Sequence, residues 1–182
     1  MKYFIPNEQI DNTIKEIRKK IRLSMNGVVS DKMKESGISY KQNFGVDIPR
    51  LKQIASGYDQ SKDLAQRLWA LQIRETMILA TLLHPVDSFT SEMADEWLVS
   101  LTHPEIVEQC CMHLLAKLPF AVELSIRWAK SDKLWHQITA FNLGARIWKS
   151  FEASQSDELI HRALEISDTA EYHLYKSIAL IL

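Results

Sequence analysis

Cysteine is nearly absent: the 182 residues hold two, Cys110 and Cys111, side by side. Neighbouring cysteines do not readily bridge to each other, and no CxxC spacing is present. Neither a disulfide framework nor a zinc site is therefore supported. Within Cys110-Cys111-Met112-His113-Leu114-Leu115 they read as packing residues of a reducing compartment. Glycine and proline are scarce, five of each, which argues against a turn-rich sandwich or barrel. No apolar run reaches the roughly 18 residues that a membrane span needs, and Met1 to Ile10 lacks a long apolar stretch. The chain reads as cytoplasmic, with no membrane partner. Its six histidines (His84, His103, His113, His136, His161, His173) fall in no HxxxH or HExxH spacing. With no GxSxG elbow and no glycine-rich phosphate loop either, no metal or cofactor is expected. A formal charge of −1 excludes a strongly basic nucleic-acid binder, taken over the chain as a whole.

Hydrophobic residues at 46% and charged residues at 25% are globular values. The near-zero charge hides an asymmetry: residues 1–52 carry 11 Lys/Arg against 6 Asp/Glu, and residues 53–182 carry 11 against 17. A polyanionic partner should meet the N-terminal part or a local patch. Strand signals are nearly absent and apolar residues recur at three and four, so the fold class is all-α. The spacing predicts a helix over Asn7–Leu23 with Ile10, Ile14, Ile17 and Ile21 on one stripe. It predicts another over Met25–Glu35, then a loop at Asn43-Phe44-Gly45-Val46-Asp47. Asp47 reads as a helix cap with Pro49 in the first turn, Ser61 opens the next helix, and His84-Pro85 reads as a stop. The second half repeats the rhythm. Helices are predicted from Ser91, Pro104, Pro119 and Asp132, the last running through Trp148, and a final pair covers Ser156–Ile166 and Thr169–Leu182. Pairs of 30–40 residues are HEAT or armadillo lengths, so a helical-repeat solenoid with a concave face is expected, as one domain over 1–182. An irregular helical bundle is the plainer alternative.

One block is more specific than periodicity. Asn43-Phe44-Gly45-Val46-Asp47-Ile48-Pro49-Arg50-Leu51-Lys52-Gln53-Ile54-Ala55 is followed by Leu64-Ala65-Gln66-Arg67-Leu68-Trp69 and by Ile73-Arg74-Glu75-Thr76-Met77-Ile78-Leu79-Ala80. Together they resemble the DNA alkylation repair family, the AlkD-like HEAT-repeat alkylpurine DNA glycosylases. Met93 to Met112, with Trp97 and Gln109-Cys110-Cys111-Met112, resembles that family's next block. The resemblance implies a solenoid that cradles duplex DNA in a basic groove and excises cationic alkylpurines without extruding them. Such chemistry asks for a carboxylate, aromatic faces and a phosphate-holding arginine.

At the site positions this chain departs from the family pattern. The run matching the family's Ser-Trp-Asp-Leu-Cys-Asp is His103-Pro104-Glu105-Ile106-Val107-Glu108, so Pro104 replaces a tryptophan and Glu108 the catalytic aspartate. The arginine position falls at Ile138 and the second tryptophan at Ile178. The candidate residues are then Glu108 as carboxylate and Trp135 as a substitute aromatic, on one helix face with Ile138 and Asn142. For DNA contact they are Trp135, Asn142 and Lys149, with Lys15, Arg18, Lys19 and Arg22 in the basic run of the first helix. Concave helices of the second half offer few cations (Arg146, Lys149, Lys176), and the hollow side is expected to lack the cation and rings that grip a charged nucleotide. Three readings follow: a member that binds damaged or structured DNA without glycosylase activity, a glycosylase using Glu108, and a protein-interaction scaffold.

Overall fold

The computed structural model describes residues 4–182, and among them it is all-helical, with eleven α-helices, three short 3-10 turns and a single bridge between Gln42 and Ile73. The chain falls into two compact units, Met1–Ser88 and Phe89–Leu182. No glycine- or serine-rich linker marks the boundary, which follows the His84-Pro85 stop and the Val86–Ser88 turn.

In the first unit, α1 (Glu8–Leu23) buries Ile17 and Ile21, and Asn7 caps it by accepting from the Ile10 amide at 3.2 Å. α2 (Gly27–Glu35) begins two residues later than the spacing suggests, because extended Asn26 turns its side chain to the Val29 amide. α3 (Ile48–Ala55), α4 (Lys62–Ala70) and α5 (Arg74–Leu83) follow, α3 and α4 capped by Asp47 and Ser61 as their sequences predict. Arg67 on α4 reaches Asp63 at 2.9 Å and Asp11 of α1 at 3.1 Å, joining the two helices.

The loop 43–47 is held by a buried carboxylate. Glu75 is fully buried on α5 and accepts from the amides of Phe44 at 3.1 Å and Val46 at 3.3 Å. Arg74 bonds the same carboxylate at 2.9 Å and also donates to the Val46 carbonyl at 2.8 Å. Gly45 permits this path: its φ is +69°, and a Cβ there would stand 2.1 Å from the Asn26 carbonyl oxygen. The glycine loop and the Arg-Glu pair singled out in sequence are thus two halves of one interlock.

His84 closes the unit. It is buried, its Nδ1–H donates to the Pro85 carbonyl at 2.9 Å, and its Nε2 then accepts from the Gln66 amide at 3.3 Å. Burial, helped by Lys62, holds the imidazole below its ordinary range.

The second unit comprises α6 (Ser91–Leu98), α7 (Pro104–His113), α8 (Ala121–Ala129), α9 (Leu134–Arg146), α10 (Ala153–Glu165) and α11 (Tyr172–Ile178). α9 packs against α7, α8 and α11. Its close approach to α8 and α10 needs Gly144, where a Cβ would lie 2.8 Å from Ser125 Oγ and 2.6 Å from Leu159 Cδ2. The spacing carries α9 on through Trp148; the helix instead ends at Arg146, and Trp148 sits in a 3-10 turn. Trp128 donates to Asp95 at 2.7 Å, tying α8 to α6. Cys110 and Cys111 are both buried and unbridged, and burial pushes the Cys111 thiol up to about 12.

Two outcomes test this account. Glu75→Gln leaves Arg74 without its buried counter-charge and should lower unfolding free energy by about 3–5 kcal/mol, read from the denaturant midpoint. For His84, the unfolded chain binds the proton more readily than the folded one. Its contribution is complete above about pH 6.5 and is lost as pH falls below that. The loss of melting temperature between about pH 7.5 and pH 5.5 should therefore be smaller in His84→Gln than in the wild type.

Candidate functional site

Two places gather charge. The first is on α1, where Lys15, Arg18, Lys19 and Arg22 stand at i, i+3, i+4 and i+7 and line one shallow depression. Ile17 and Ile21 turn the other way, into the core. Lys20 of the same run is engaged elsewhere: it meets Glu16 at 2.8 Å and lies 4.6 Å over the ring of Tyr58. Those contacts raise the Lys20 pKa and lower that of Glu16. The four residues of the stripe have no ion-pair partner among the described residues, and only Lys15 has a polar neighbour, Asn12 at 3.3 Å.

The second is a pocket of about 280 Å³ in the second unit, walled by α7, α9 and α11. Pro104 and Glu108 face it from α7, Ile138, Asn142 and Arg146 from α9, and Tyr172, His173 and Lys176 from α11. Asn142 fixes the floor: its amide donates to the Ile138 carbonyl at 2.8 Å and to Ser177 Oγ at 2.9 Å, and Ser177 donates to the His173 carbonyl at 2.7 Å. Glu108, Arg146 and Lys176 are exposed and carry no ion pair among the described residues. Together they leave the pocket with one net positive charge, set beside the rings of Tyr172 and His173.

Trp135 stands one ring beyond. It is half-buried, 6.4 Å from the His103 ring and 6.1 Å from the His173 ring, and His173 in turn lies 5.3 Å from Tyr172. A row of four rings therefore runs across the starts of α7, α9 and α11. Lys149, in the exposed turn after α9, is not among the pocket's walls. Ile178 is buried beneath α11.

The positions that the resemblance assigns to the site, Pro104, Glu108 and Ile138, do come together, and the Ile178 position lies beneath the same wall. The expectation of a hollow side stripped of cation and rings needs correction, because Arg146, Lys176, Tyr172 and His173 are there. Arg146 and Lys176 are visible in the sequence as cations; that they and the rings of Tyr172 and His173 wall one pocket is not. Ile138-Asn142-Arg146 on α9 and Tyr172-Lys176 on α11 are spaced at four, which puts each set on one helix face. Three of the acids that outnumber them are paired with other cations: Asp95 with Arg127, Glu158 with Lys130, Glu165 with Arg162. Among the described residues no group of three His, Cys, Asp or Glu could hold a metal ion, and no helix is long and apolar enough to cross a membrane.

No curated protein matches this sequence. A solved structure described as "a new family of proteins related to the HEAT-like repeat DNA glycosylases with affinity for branched DNA structures" superposes with a TM-score of 0.82 at 13% identity. The match covers 92% of this chain and 73% of that one, so the fold is that of the HEAT-like repeats. Over residues 6–182 the sequence matches the family model of the DNA alkylation repair enzymes. With that match over nearly the whole sequence, this chain belongs to the DNA alkylation repair enzyme family.

Proposed function

We propose that the protein binds damaged or branched DNA and leaves its glycosidic bonds intact. The observation that carries this reading is the α1 stripe, four cations on one face with no ion-pair partner among the described residues. From Lys15 to Arg22 it spans about 10 Å of helix, enough to meet roughly three phosphates of one strand. Membership of the family supports a DNA partner, and the affinity for branched DNA stated for the structural neighbour supports structured over linear substrates. In the second unit Arg146 offers a planar fork to a phosphate, Lys176 a point charge, and Tyr172 a stacking surface for an unpaired base. Absence of excision is supported by Pro104 and Ile138, which put neither an aromatic ring nor a guanidinium at the positions where the resemblance expects them.

One observation favours a second reading, base excision. Glu108 shares its pocket with Arg146, Lys176 and Tyr172, a carboxylate for the developing sugar cation beside groups that could hold the phosphate. Trp135 joins through His173.

Anisotropy of labelled DNA tests the binding. A three-way junction should bind at about 50 mM salt, and alanine at Lys15, Arg18, Lys19 and Arg22 together should flatten the salt slope by about 3. No binding at about 50 mM salt, where such contacts are strongest, would leave a protein-interaction scaffold in its place. Incubation with methylated duplex should release no 3-methyladenine or 7-methylguanine. Release that vanishes in Glu108→Gln would select the excision reading.

A further inference from the structure

Directly beyond Arg22 the chain turns from α1 into α2, and three large apolar side chains stand out of that turn. Leu23 is 77% exposed, Met25 62% and Val28 66%. Exposed apolar residues are unremarkable singly; three within six residues, on a backbone held this firmly, are not. The Asn26 amide donates to the Phe44 carbonyl at 2.9 Å, and the Asn26 carbonyl accepts from Ser30 at 3.1 Å. Ser24 accepts from Arg50 Nε at 3.0 Å, and Gly45 lies flush against the Asn26 carbonyl. The turn is thus anchored to the loop that Glu75 locks, while its side chains project into solvent.

Its place relative to the cations gives it a use. Leu23 follows Lys19 by four residues and Lys15 by eight, so the basic stripe leads along one side of α1 to the apolar tip. Proteins that open DNA combine these two elements, with cations on the phosphates and a Leu, Ile or Met wedged into a base step. A bilayer fits less well as occupant. The apolar stripe of α1, Ile17 and Ile21, is packed inside the protein, so what remains outside is a point rather than a face that could lie in a membrane.

We propose that the turn from Leu23 to Val28 is a wedge that enters the opened base step at a DNA branch point, while Lys15, Arg18, Lys19 and Arg22 hold the adjoining phosphates. This rests on the DNA-binding reading above. The anchored backbone means that little order has to be gained on insertion, and branch points are where unstacking a step is least demanding.

A three-way junction carrying 2-aminopurine at the branch tests it, with the full chain and a Leu23→Ser/Met25→Ser variant. Both sites are exposed, so the variant's melting temperature should match the wild type. Wild-type protein should raise the 2-aminopurine emission on saturation. The variant should bind linear duplex within about twofold of wild type, lose the emission rise, and lose at least about fivefold of junction affinity. Junction binding without an emission rise, or a variant that behaves as wild type, overturns the wedge and leaves DNA binding standing. If the wild type binds neither DNA, or binds only phosphatidylserine vesicles, the DNA-binding reading falls and the wedge with it.

Discussion

A carboxylate with no exposed surface, ligated by two backbone amides and an arginine, is the constraint on which the first unit depends. Left unpaired, a buried charge is among the least tolerable features a fold can have. Glu75 is therefore compatible with folding only when Phe44 and Val46 present their amides and Arg74 its guanidinium. That requirement dictates the path of loop 43–47, including the left-handed Gly45. The path in turn sets the end of α2 against Asn43 and the start of α3 at Asp47. α5 thus does more than fill a core: its first turn is the mould for the loop before α3.

Most of this was legible from residue types, for reasons that can be named. Asn7, Asp47 and Ser61 are caps because their short side chains reach the third amide on, and each one does so here. Pro104 sits in a first turn, where its missing N–H is no loss. The motif block around Gly45 and Glu75 could be recognised as a unit, but its purpose could not be read, because the partners are about thirty residues apart and meet through backbone amides. The end of α9 also escaped. Trp148 continues the apolar spacing of that helix, and periodicity does not distinguish an α-helix from a closing 3-10 turn.

The candidate site was legible in part. Glu108 comes from the resemblance, on α7, while helical spacing puts Trp135, Ile138 and Asn142 on one face of α9; Ile138 and Asn142 line the pocket and Trp135 stands beside it. Arg146 and Lys176 were noticed as cations but not as wall residues of one pocket, since they come from helices separated by a third. From sequence Lys149 is preferred to both, yet Lys149 lies in the turn past the end of α9 and is not among the pocket's walls. What sequence could not supply was the floor: the Asn142–Ser177 contact that sets α11 against α9 joins two unremarkable polar residues 35 positions apart. It adds to the burial of Leu174 and Ile178 and to the Trp135–His173 ring contact in setting α11 beside Glu108.

The paired thiols bear on the setting in which such a protein works. Electrophiles that methylate bases also attack sulfur, and they do so through the thiolate. Cys110 and Cys111 are the whole sulfhydryl complement of the chain. Both sit dry between helices, held in the protonated form far above neutral pH. A protein of the alkylation repair family built this way keeps its thiols out of reach of such electrophiles.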